Sequence, residues 1–221
     1  MLETYIQAYN DAVFETDKQT ALNVVNRALQ DGFSAEDIVF KLVIPAVEKM
    51  MAFIEQDPDA NLAQHFMTAQ IAADVTEKML EKFSKPPEMI GRVVIGAAYG
   101  DLHSLGKRIV SGCLKSLMVD VVDLGSNVSA ERFVDAAVAE QAQVIAISAM
   151  MVHTAIGENG SLKVRALLKE RGLEDRIKLA VGGAPYRFDP ELYLKVGADA
   201  WAADGVNAAK TIVELIREVK P

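Results

Sequence analysis

The residues best suited to chemistry lie in one short run, Gly100-Asp101-Leu102-His103-Ser104-Leu105-Gly106. A carboxylate two residues before a histidine can accept the proton on Nδ1, which fixes the tautomer and leaves Nε2 free to bind a metal. A glycine three residues beyond the histidine lets the backbone turn close beside a bulky group. The same triplet also fits a loop histidine held by its neighbouring aspartate, with Gly106 opening a tight turn. Position in the fold decides between these readings.

The run follows the apolar stretch Val93-Val94-Ile95-Gly96-Ala97-Ala98, which reads as a buried parallel strand. It precedes Lys107-Arg108-Ile109-Val110, where a helical pattern begins. His103 is thus expected just past the carboxyl end of a strand, where open α/β sheets place their ligands. Strand-like runs span 92–98, 118–124, 144–150, 178–182 and 200–203, and helix-like runs span 105–114, 130–142, 161–171, 190–196 and 206–219. Five strands alternating with five helices predict an α/β fold with a doubly wound, five-stranded parallel sheet, Rossmann-like in outline. Such a sheet brings the loops 99–106, 125–129, 151–160 and 183–188 to one edge.

Residues 1–85 show helical periodicity instead. A first helix is expected over 5–14. A second carries Leu22, Val25 and Leu29 and stops at Gly32. Ser34 with Asp37 makes a capping-box start for a third, in which Pro45 predicts a kink or break. After an Asp57-Pro58-Asp59 turn, a fourth amphipathic run covers 60–83. A four-helix bundle of residues 1–85 is expected, joined through Ser84-Lys85-Pro86-Pro87-Glu88 to an α/β domain of residues 89–221.

Composition narrows the function. The 221 residues are 51% hydrophobic and 24% charged, ordinary for a well-cored globular protein. Residues 1–88 carry 15 acidic and 7 basic groups, while the remainder balances, which argues against nucleic-acid binding. No apolar run is long enough to span a membrane and the first residues lack a basic, apolar leader, so cytoplasm is expected. A single cysteine, Cys113, lies in an apolar helical stretch and reads as a buried small hydrophobe.

At the sheet edge, small and apolar residues dominate: Gly125-Ser126-Asn127-Val128-Ser129 with Ser129 as a helix cap, then Ser148-Ala149-Met150, then Gly182-Gly183-Ala184-Pro185. A dinucleotide fingerprint, a phosphate-binding glycine-lysine loop and a nucleophile elbow are all missing from the sequence. A phosphoryl-accepting site would cluster aspartates with a lysine, for which Asp123 is a weak counter-candidate. What remains is an apolar slot between strand ends with one oriented histidine, suited to a large, mostly apolar ligand joined to a metal.

These residues make the chain similar to the cobalamin-binding corrinoid proteins of methyltransferase systems, relatives of the cobalamin-binding module of methionine synthase. That family carries Asp-x-His-x-x-Gly, then Ser-x-Leu, then Gly-Gly on successive strand ends after a helical bundle. Here they read Asp101-Leu102-His103-Ser104-Leu105-Gly106, Ser148-Ala149-Met150 and Gly182-Gly183, and the resemblance spans residues 92–205. Met150 departs from the usual Leu but is close to it in volume. In the bundle, Ile44-Pro45-Ala46 is the best echo.

The resemblance implies cobalamin bound with its own nucleotide base off cobalt and His103 in its place as the metal ligand. Asp101 and His103 would be the pair that tunes the chemistry. Ser104, Gly106, Ser148, Met150, Thr154, Gly182 and Gly183 would join them in binding the cofactor, with Thr154 a third hydroxyl partner for Asp101 and the glycines flanking the nucleotide tail. His65, Phe66 and Met67 are candidates to cap the upper corrin face, and His153 is a loop histidine near the cofactor. The implied role is a subunit that carries a methyl group between partner methyltransferases. A chain of this length has no room for a catalytic barrel of about 250 residues, so partners are expected to activate the substrates. The acidic bundle is a candidate docking face, and a homo-oligomer stays open. Alternatives are the small cobalamin-binding subunit of an adenosylcobalamin-dependent mutase, and a cobalamin-sensing or storage module.

Overall fold

In the computed structural model, which describes residues 2–56, 62–85 and 88–219, the five apolar runs form five strands. They are β1 (Gly91–Ala97), β2 (Val119–Asp123), β3 (Val144–Ser148), β4 (Lys178–Gly182) and β5 (Ala200–Ala202). All neighbouring pairs are parallel, in the order β2-β1-β3-β4-β5. The order reverses between β1 and β3, which makes their carboxyl ends the switch point where such sheets hold ligands. Register aligns Ala97 with Ser148, Ser148 with Gly182, and Gly182 with Ala202. Ser148 and Gly182 therefore stand in one row with Ala97, the last residue of β1, beyond which the Asp101–His103 loop begins.

Helices cover both faces: α6 (Leu105–Ser116), α7 (Ala130–Ala139), α9 (Ser161–Glu170), α11 (Leu192–Lys195) and α12 (Gly205–Val219) correspond to the predicted runs. Two one-turn helices, α8 (Val152–Ile156) and α10 (Ala184–Phe188), replace stretches expected as loops. On one face Val94, Ile145, Ile147, Leu179 and Val181 meet Phe133, Val134 and Ala137 of α7 and Val164 and Leu168 of α9 in a single buried cluster. On the other, α12 crosses β1, β3, β4 and β5, and its first residue abuts Ile109 of α6. Alternation sends Val93 and Ile95 to that second face. Each fully buried aliphatic side chain contributes about 1.5–3 kcal/mol, so the strands are fixed from both sides.

The remaining helices are α1 (Leu2–Phe14), α2 (Lys18–Gln30), α3 (Ala35–Ile38), α4 (Ile44–Gln56) and α5 (Leu62–Leu80). Asp17 caps α2 by accepting from the Thr20 amide, and Ser34 and Asp37 form the expected capping box of α3. A π-helical turn, Val39–Val43, joins α3 to α4, with the Ile44 amide bonded to the Val39 carbonyl. The break expected at Pro45 takes this form: the missing proline N–H falls just after a turn that has already left α-helical spacing. Taken as one interrupted helix, α3 to α4 makes a four-helix set with α1, α2 and α5, whose core includes Tyr9, Val13, Val25, Leu42, Val47, Ile71 and Val75. Two compact units result, Met1–Glu88 with Lys115–Leu117, and Met89–Leu114 with Met118–Pro221. The predicted turn at 57–59 and linker prolines at 86 and 87 lie outside the described residues. Among the described residues, no helix is long and apolar enough to cross a membrane.

Candidate functional site

The loop between β1 and α6 carries the histidine. Asp101 is 2% exposed although it stands in a surface loop, because its carboxylate is turned inward. Its Oδ1 accepts from the His103 backbone N–H at 2.9 Å and from the ring Nδ1–H at 2.8 Å. Its Oδ2 accepts from the Met150 backbone N–H at 2.6 Å and from the Thr154 hydroxyl at 3.0 Å. That hydroxyl also lies 2.8 Å from the Met151 carbonyl, so its one proton chooses between two acceptors. Burial by itself would raise the Asp101 pKa, but the Met150 and His103 amides, the His103 ring and the Thr154 hydroxyl outweigh it and hold the group below the ordinary aspartate value.

A carboxylate only accepts hydrogen bonds, so the nitrogen facing it must be the protonated one. Nε2 then keeps its lone pair, and the His103 side chain is 61% exposed. The site offers one unencumbered nitrogen donor on a rigid mount. Around it Leu102, Leu105, Met150, Met151 and Val152 present exposed apolar surface. Among the described residues no group of three or more His, Cys, Asp and Glu could hold a bare metal ion. A single imidazole with an apolar rim fits a metal that arrives already chelated by a large ligand.

The backbone distinguishes the glycines of the site. Gly106 lies in the first turn of α6, not in a tight turn, and a Cβ there would make an ordinary 3.5 Å contact with Ser148 Oγ. Gly183 has φ +113°, and a Cβ would fall 1.9 Å from the Ala149 carbonyl oxygen. Glycine at 183 is thus demanded by the fold itself, while a Cβ on Gly182 would meet only Ala202 O at 3.8 Å. Ser104 immediately precedes α6, its carbonyl accepting from the Arg108 amide.

Asp123 is committed elsewhere. Its two oxygens bind Lys107 Nζ at 2.7 and 2.5 Å, with the lysine side chain 5% exposed. Lys107 shares the buried stripe of α6 with Leu114, and a lysine on an apolar stripe is the signal that could have revealed the pair. His65 is buried in its own unit, Phe66 and Met67 are half-buried, and His153 is exposed on α8. Cys113 is fully buried, as expected.

A parallel α/β sheet whose switch point presents one carboxylate-held imidazole defines a domain built to receive a metal-bearing ligand. The B12 binding domain family matches residues 91–213. Trimethylamine corrinoid protein 1 of Methanosarcina acetivorans is 31% identical, the match covering 98% of this chain and 97% of that protein. The dimethylamine corrinoid protein of Methanosarcina barkeri is 33% identical, covering 97% and 98%. The solved methanol:cobalamin methyltransferase complex of M. barkeri shares the fold, with TM-score 0.76 and 24% identity over 97% of this chain and 80% of that one. The chain belongs to the cobalamin-binding corrinoid proteins of methyltransferase systems, and cobalamin is its cofactor.

Proposed function

We propose that this chain binds cobalamin with His103 Nε2 as the lower cobalt ligand, the cofactor's own base being displaced, and carries a methyl group from a methylated-amine methyltransferase to an acceptor methyltransferase. The observation that carries the ligand assignment is the fourfold-bonded Asp101, which commits Nδ1 of His103 and leaves Nε2 open. Identity above 30% with trimethylamine and dimethylamine corrinoid proteins over nearly the whole length supports the amine class of donor.

When bound, cobalamin supplies the metal centre that accepts and releases the methyl group. The protein's part is orientation and charge. Asp101 keeps the proton on Nδ1 and points the Nε2 lone pair away from the loop. Thr154 and the Met150 amide stop the carboxylate from rotating away. Ser104, just before α6, and Gly106, in its first turn, would take part in holding the cofactor, with Ser148 offering a hydroxyl at the strand row, Met150 apolar contact, and Gly182 and Gly183 room for the nucleotide tail.

The test is methyl transfer. The cobalamin-loaded chain, reduced and mixed with trimethylamine or dimethylamine carrying a labelled methyl group and the matching donor methyltransferase, should acquire the label. Label acquired only from methanol, or from no donor while cobalamin stays bound, would contradict the assigned substrate class.

A further inference from the structure

We propose that Asn127 is a positioning residue for the cobalt-ligating loop, an inference that rests on His103 being the ligand. The carboxylate of Asp101 can orient the imidazole only if its own backbone is held, and that backbone lies in an exposed loop. Asn127 holds it from both sides. Its side-chain Oδ1 accepts the Gly100 N–H at 2.8 Å, and its backbone N–H donates to the Asp101 carbonyl at 2.9 Å. These groups belong to the peptides before and after the Asp101 amide, and the Asp101 N–H is itself bonded to the Ala98 carbonyl at 2.9 Å. The three peptide units around Asp101 are therefore all engaged, two of them by one residue.

The residue type fits this task. Asn127 sits at φ +56°, in the left-handed region that asparagine visits far more readily than most residues. That conformation lets side chain and main chain of one residue reach the same loop. Gly100 is left-handed too, at φ +79°, so the gripped segment turns sharply and has little intrinsic preference for this shape. The connection bearing Asn127 is fixed independently of its side chain: Ala97 N–H donates to Gly125 O, Val128 N–H to Ala97 O, and Asp123 is paired with Lys107. Removing the side-chain acceptor therefore releases Gly100 without detaching the connection.

Two substitutions separate the grip from the backbone shape. Asn127→Gly accepts the left-handed φ but loses the acceptor, whereas Asn127→Asp keeps an acceptor oxygen and tolerates the same φ. In the cofactor-free chain, nitrogen NMR of the His103 ring reports which nitrogen carries the proton. We expect Asn127→Gly to raise the share of the Nε2–H tautomer and to weaken hydroxocobalamin binding about two- to tenfold, the range of one hydrogen bond. Asn127→Asp should restore both, and thermal melts of both variants should stay near the native one because the residue is exposed. A native-like tautomer and affinity in Asn127→Gly would overturn the proposal. So would a loss of affinity with the tautomer unmoved and no rescue by Asp. A tautomer shift rescued by Asp, in a chain whose native form retains no cobalamin, would support the grip and sink the cofactor-ligand reading instead.

Discussion

Replacing Asp101 by asparagine changes one atom and breaks a pattern of four donors facing two acceptors. With the amide oxygen at Oδ1, both His103 contacts survive, but the new NH2 faces the Met150 N–H across 2.6 Å, donor to donor. Thr154 can adapt there by accepting and giving its proton to Met151 O. With the oxygen at Oδ2 instead, Met150 and Thr154 are satisfied, the His103 N–H loses its acceptor, and Nδ1 must itself accept. The ring proton then moves to Nε2, where it blocks coordination. Either choice strands a backbone amide and removes a charge-assisted bond, which should cost about 1.5–3 kcal/mol of apoprotein stability at neutral pH. Cobalamin affinity should fall about 10–100-fold, as for other partners of metal-bound histidines.

The acid dependence has a definite sign. The folded Asp101 pKa is lowered, so its contribution is present above the unfolded value near ~3.9 and is lost as pH falls through the folded value. The stability gap between native chain and Asp101→Asn should therefore be constant through neutral pH and close in acid below about pH 4. Urea unfolding at a series of pH values and spectrophotometric titration with hydroxocobalamin read both quantities. Affinity within twofold of native, with no acid-dependent closing of the gap, would refute the reasoning.

Gly183→Ala should destabilise the fold by at least about 1–3 kcal/mol through its φ alone, since the added carbon also meets the Ala149 carbonyl. Gly182→Ala should leave the urea midpoint unchanged, and equal midpoints for the two variants would contradict the backbone account of Gly183. Cys113 has its pKa pushed up to about 12 by burial and, secondarily, by the charge of Asp204. It should resist Ellman's reagent in the native state and react fully once the chain is unfolded; a native-state reaction at the rate of a free thiol would count against its buried placement.

Much of this fold was legible because parallel strands buried on both faces read as short apolar runs. The run 178–182 coincides with β4, and the polar Asp123 marks the end of β2. The helices α8 and α10 escaped because single turns have no periodicity to detect, although Pro185 in the first turn of α10 is a start signal. The Asp101–His103 contact followed from two-residue spacing and a strand end. One group left no trace in residue type, the Met150 backbone amide, which any residue but proline would provide, and the hydrogen bonds of Asn127 to Gly100 and Asp101 could be seen only once the loops were in place. Thr154 was visible only through resemblance, since its hydroxyl reaches Asp101 from 53 positions away. The crowding of Gly183 by Ala149 could be seen only once β3 and β4 were in register.

The most direct measurement of the central claim is the electron paramagnetic resonance spectrum of the chain loaded with cobalamin, after one-electron reduction to Co(II), with histidine labelled by nitrogen-15. If His103 Nε2 is the lower ligand, the threefold splitting from nitrogen-14 becomes twofold on labelling, and that twofold pattern is lost in labelled His103→Ala. Splitting that ignores the label, or a twofold pattern that survives in labelled His103→Ala, would contradict the account.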